Sequence, residues 1–272
     1  HVVKTELPNG NLAQAQAYVF NLRRDKFKDP LVREALSMMF NFEWSNEQLF
    51  YGLYDRVNSF WGNSNLEASG VPKGKELSIL QGLVDKGLLD VNVLTEPAVM
   101  APVSGLRQLD RKNLRKASAL LDEAGWLVND SGMREKNGQA FTLEVLDSSP
   151  AFDRITNPMI ENMKSLGIDA RLNRVDPAQE MERSRSFDFD VTTHSMRMSL
   201  EPSSGLEQYF GTKAMDESSR NLMGLSDPAV DALIDLVVRS ENKEELNHRI
   251  RVLDRVLRAK RFWIPQWFKS VH

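Results

Sequence analysis

The chain has no cysteine among its 272 residues. Disulfides, thiolate nucleophiles and cysteine metal sites are excluded together, and a cytosolic or an exported chain fits equally well. Histidine is scarce too, with 4 in all, two of them at positions 1 and 272. No excess of positive charge exists: 35 Lys+Arg stand against 38 Asp+Glu, a formal net charge of -3. The overall electrostatics therefore give no case for nucleic acid. Where basic residues gather, at 107–116 and 243–260, acidic ones are interspersed, the pattern of a solvated helix face. No apolar run approaches the roughly 20 residues that cross a bilayer. A phosphate-binding loop, a dinucleotide glycine fingerprint, an HExxH pair and a nucleophile elbow are all missing. The chain opens HVVKTELPNG, without an initiator Met or an apolar leader core, and reads as a piece of something longer.

What is present is an alternation of α and β signals, long enough for one large α/β domain or two small ones. Tyr18, Val19, Phe20 and Leu22 predict a strand over 18–22. Asp29 before Pro30 predicts a helix start, with the side chain capping free amides and proline at the first helical position. Leu31, Ala35, Met38 and Met39 then share one face. Residues 62–74 read as loop, 75–86 as a short helix, and 88–109, with Pro97 and Pro102, as an irregular connection. Leu114, Ala117, Leu120, Leu121 and Ala124 form the stripe of a helix that Gly125 ends. A turn over 129–138 separates short strands. The strand 141–146, the helix 152–166 stopped at Gly167 and the strand 168–175 predict a β-α-β unit with a parallel pair. Asp176–Pro177 and Asp227–Pro228 repeat the helix start, with a strand 188–193 between them. Val230, Leu233, Ile234 and Val237 mark one closing helix, and Leu246, Ile250, Leu253 and Leu257 another. A last strand, 262–268, runs out of the domain.

Two groups of residues carry chemistry. His194 follows the predicted strand FDFDV, and with Asp188, Asp190 and Glu201 it offers metal-ligand types; His248 sits on a charged helix. Strand alternation favours a plainer reading, with Phe187, Phe189 and Val191 in the core and the aspartates meeting solvent or arginines. The second group is the aromatic set Trp44, Phe50, Tyr51, Tyr54, Phe60 and Trp61. It reads as a satellite cluster beneath 62–74 or as a pocket wall, with Trp44 and Tyr54 inside and Trp61 at the rim.

The segments FNLRRDKFKDPLVREALSMMFNFEW, YGLYDRVNSFWGNSNLEASGVPKGKELSIL, NLRKASALLDEAGW, FDFDV, NLMGLSDPAVDALIDLVV, LDRVL and WIPQW occur in that order. This series resembles the second lobe of the bacterial family 5 extracellular solute-binding proteins, the peptide-binding components of ABC importers. The resemblance implies one α/β lobe over 1–272, a mixed sheet flanked by helices. Hinge strands would lie near 18–22 and 262–268, with the lobe core over 25–260 between them. The other lobe is not part of this sequence.

The implied function is capture of an extended oligopeptide between two lobes and delivery to a membrane-embedded ABC permease. Catalysis, a cofactor and a bound metal are not expected. The resemblance further implies a monomer in the periplasm, whose signal peptide lies outside this sequence. The segment HSMRMSLEPSSG matches one that lines the peptide site in the family, where many relatives hold the peptide amine with an aspartate. Met198 stands at that position here, so Glu201 takes over the amine or the terminus is not read. Arg197 would pair with a carboxylate, and Ser195 would donate to a peptide carbonyl. The ligand-facing residues expected are therefore His194, Ser195, Arg197, Met198, Glu201, Trp61 and Tyr54. Two alternatives stay open: another cargo in the same clamp (a nickel chelate, an oligosaccharide or a peptide-like antibiotic), and a metal-dependent enzyme at Asp188, Asp190 and His194.

Overall fold

The computed structural model describes residues 5–217 and 219–271, so His1 and His272 lie outside the described residues. Strand β1 (Ala15–Phe20) leads to α1 (Pro30–Ser37), α2 (Phe42–Leu49), β2 (Asp55–Arg56), α3 (Gly74–Asp85) and α4 (Arg111–Glu123). A small ribbon follows, made of β3 (Leu127–Val128), β4 (Arg134–Lys136) and β5 (Gln139–Ala140). The chain continues through β6 (Thr142–Asp147), α5 (Asp153–Lys164), β7 (Asp169–Arg174), α6 (Pro177–Arg185), β8 (Val191–Met196) and α7 (Gly205–Phe210). It closes with α8 (Pro228–Val238), α9 (Lys243–Ala259), β9 (Trp263–Pro265) and β10 (Trp267–Phe268).

The main sheet has the order β7-β6-β8-β1-β9. It is mixed: β6 runs parallel to β7 and β8, whereas β1 is antiparallel to β8 and β9. Side chains of a strand alternate between faces, and β1 feeds two cores in this way. Ala15, Ala17 and Val19 enter one with α8 and α9. Tyr18 and Phe20 enter the other with α1, α4 and α5. Helices cover both faces, as a fully buried strand requires.

Local signals placed most helix starts. Asp29, Asp176 and Asp227 each precede a proline and accept a hydrogen bond from an amide of the first turn. The β-α-β unit forms with a parallel register from Thr142↔Asp169 to Asp147↔Arg174. Gly167 closes its helix at φ +84, where a Cβ would stand 2.5 Å from the Gly132 carbonyl oxygen.

Three expectations need correction. The strand expected at 188–193 is β8 at Val191–Met196, because Phe187 turns the backbone to φ +55. The Asn21 side-chain amide then takes the Phe187 and Phe189 carbonyls, each at 2.9 Å, which removes them from a ladder. His194 consequently lies inside a strand, not after one. Helix α2 went unanticipated, although Asn41 caps it by accepting from the Trp44 amide. The last strand is split at Gln266: β9 pairs with β1, and β10 pairs with β2 in a separate ribbon.

The segments 18–22 and 262–268 fall on β1 and on β9 with β10. β1 is an inner strand bonded on both sides. The outermost paired segments are near 8–9 and 269–271. There the Asn9 amide donates to the Ser270 carbonyl at 2.7 Å, its side chain donates to the Lys269 carbonyl at 2.9 Å, and Pro8 bridges Val271.

Candidate functional site

Because β6, β7 and β8 are parallel, their carboxyl ends meet at one edge of the sheet, where β1 begins and β9 ends. Loops leaving that edge are the usual place for ligands in open α/β sheets. The segment 194–204 leaves it from β8. His194 pairs across the ladder with Ala17, and Ser195 with Gln16. The His194 ring is half-buried, with Nε2 at 3.2 Å from the Arg220 carbonyl. Burial lowers its pKa, and the carbonyl contact partly opposes that. Beyond the buried Met196, Arg197 and Glu201 are exposed, and Met198 packs half-buried on the α8–α9 core. The Glu201 amide donates to the Ser199 hydroxyl at 3.1 Å, which folds the loop back on itself. Met198 thus uses its side chain for packing, a role an aspartate would not fill.

Trp61 does not stand at a rim. It is 0% exposed, and its indole Nε1 donates to the Ser199 carbonyl at 3.0 Å. It supports the loop from beneath. Tyr54 belongs elsewhere: it meets Phe50 edge-on at 5.2 Å and Trp267 at 6.3 Å, on the side of the sheet opposite to Trp61. The aromatic set therefore divides between two cores and forms no single cluster under 62–74, and Tyr51 at φ +57 is 85% exposed. Of the expected residues, the structure brings His194, Ser195, Arg197, Met198 and Glu201 together on one strand and loop.

The metal constellation dissolves into ion pairs. Asp188 meets Arg24 at 3.0 Å and Arg183 at 3.2 Å, and Asp190 meets Lys26 at 2.6 Å. Among the described residues no three His, Asp or Glu side chains are grouped to hold a metal ion. Asp188 meets arginines as the plainer reading expects, whereas Asp190 pairs most closely with a lysine and Phe189 and Val191 enter opposite cores, not one.

Sequence reading missed several polar groups at the same edge. Asp147 ends β6 almost fully buried and accepts from the Ser149 amide at 2.6 Å, and burial raises its pKa. Arg174, opposite it on β7, is engaged by Asp153 at the start of α5. The Gln16 side chain donates to that of the buried Gln266 at 2.6 Å. The polar run Asp147–Ser149 after an apolar strand was the available signal.

A mixed sheet covered by helices on both faces, with polar loops gathered at one edge, defines a periplasmic-binding-protein-like lobe. The chain belongs to the bacterial extracellular solute-binding proteins, family 5, whose middle-region profile matches residues 4–217. It is 40% identical over 273 residues to the probable peptide-binding protein YejA of Agrobacterium fabrum, covering 99% of this chain and 44% of that one. The chain spans about two-fifths of the length of the curated relatives it matches. Among solved structures, the oligopeptide-binding protein AppA of Bacillus subtilis, in complex with a nonapeptide, superposes with TM-score 0.71 at 17% identity, covering 98% of this chain and 47% of that one. NikZ of Campylobacter jejuni, in complex with Ni(L-His), gives TM-score 0.70 at 17% identity, covering 98% and 47%. These likenesses carry the fold, and the family is one of solute binding.

Proposed function

We propose that this chain is one jaw of a two-lobed clamp for extended oligopeptides, with the segment 194–204 and the carboxyl edge of the sheet facing the ligand. The observation that carries the reading is the exposed pair Arg197 and Glu201 on a loop fixed to a rigid strand, one cation and one anion for the two kinds of peptide charge. Extended peptides carry unpaired amides and carbonyls, which half-buried groups such as Ser195 and Gln16 can meet whatever the side chains. The relative named as a probable peptide-binding protein supports the cargo. The antiparallel pair at 8–9 and 269–271 would be the two crossings to the other lobe, and closure about them would trap the ligand. Export to the periplasm, monomeric action without nucleic acid, and delivery to a membrane-embedded ABC permease complete the reading.

The test is the double substitution Arg197→Gln with Glu201→Gln in the full-length protein. Peptide affinity should fall at least about 10-fold with Tm nearly unchanged, the loss of two charged hydrogen bonds at an exposed site. Equal losses of stability and affinity would assign both residues to the framework. Binding of a nickel chelate or an oligosaccharide in place of any peptide would move the cargo to that alternative.

A further inference from the structure

Among the described residues, one hydrogen bond of long sequence reach anchors loop 197–204, that from the Trp61 indole to the Ser199 carbonyl, across 138 positions. Trp61 in turn belongs to a turn built around Asp254 of α9, a carboxylate that is 0% exposed. One Asp254 oxygen accepts from the Ser59 hydroxyl at 2.9 Å and from the Phe60 amide at 2.9 Å. Its other oxygen accepts from the Ala68 amide at 3.0 Å and from Arg258 at 3.1 Å. The Trp61 amide donates to the Ser59 hydroxyl at 2.9 Å, and Phe60 stacks on Trp263 with ring centroids 4.1 Å apart. A buried carboxylate with four donors fixes this turn firmly. The indole is thereby aimed from a turn held by helix α9 at a loop that is otherwise supported by the packing of Met198 on the α8–α9 core.

We propose that Trp61 is a positioning residue for the cleft: the turn held by Asp254 sets the height and angle of loop 197–204, and so of Arg197 and Glu201. The inference rests on the reading of that loop as ligand-facing. It assigns Trp61 a role through Ser199 and not through contact with the ligand, consistent with its full burial. A loop held at one carbonyl keeps its charged groups near the bound geometry, so less ordering remains for binding to supply.

Trp61→Phe keeps an aromatic ring in the core and removes only the N–H donor and part of the ring. Leu121→Ala, in α4 and in the other core, is the control for general destabilisation. In the full-length protein, hydrogen exchange of the amides at 198–204 should be about 5-fold faster in Trp61→Phe, and peptide Kd should rise about 5-fold, the loss of one hydrogen bond. Leu121→Ala should lower Tm at least as much while leaving both quantities unchanged. The proposal is overturned if Trp61→Phe leaves loop exchange and affinity as they were, or if Leu121→Ala moves them equally. Should the unaltered protein bind no peptide, the peptide reading fails, and the exchange rates alone decide the tether.

Discussion

His194 shows how a single residue reports its surroundings. Its neutral form is favoured in the fold because burial lowers the pKa below the ordinary value near 6.5. Between that lowered value and about 6.5 the unfolded chain binds more protons than the folded one, so stability falls as pH falls through this window. Tm measured from pH 7.5 to 5.5 should therefore decline more steeply in the unaltered chain than in His194→Gln. Equal slopes would show that the ring is solvated in solution. Asp254 is the more demanding site. Asp254→Asn would leave Arg258, 1% exposed, without its counter-charge and would withdraw one acceptor oxygen. Urea denaturation should show a loss of about 3–5 kcal/mol, the usual cost of breaking a buried pair from one side.

At the scale of elements, the β-α-β unit was legible because its signals are local. Apolar periods change from 2 to 3.6 and back, and Gly167 marks the stop. The glycine is required by close approach as well as by φ, since its Cβ position points at the Gly132 carbonyl. Gly167→Ala should cost more than about 1 kcal/mol, seen as a lower urea midpoint with an unchanged m-value. The strand after it was misread for an equally physical reason. The alternation FDFDV fits a strand, but Asn21, Arg24 and Lys26 from the turn after β1 bind the Phe187 and Phe189 carbonyls and the two aspartates. Partners more than 160 positions away are invisible in a window of five residues. The same limit hid the division of the aromatic set, since only the packing of α9 and β9 draws Phe60 and Trp61 away from Tyr54.

For the whole molecule, β1 belongs to both cores, so neither core can be lost without the other. The 272-residue chain should accordingly unfold in one transition, with far-ultraviolet circular dichroism and tryptophan fluorescence coinciding. Two separated transitions would divide it into two units. The apolar residues Val91, Met100, Val103 and Leu106, all within the long connection after α3, are exposed. Hydrogen exchange should be fast there relative to β1 and β8.

The amino-acid sequence by itself determined most helix starts, the β-α-β unit and the family. Capping aspartates, prolines at first helical positions and the apolar periods act within a few residues, and the ordered segments along the chain carry the kinship. Tertiary structure alone decided where β8 begins, that Trp61 is buried under the loop 197–204, and that the segments at 8–9 and 269–271 pair. It also brought Asp147, Arg174, Gln16 and Gln266 to one edge. Each of these depends on groups far apart in sequence competing for the same hydrogen bonds and the same buried space, a contest that local propensity does not record.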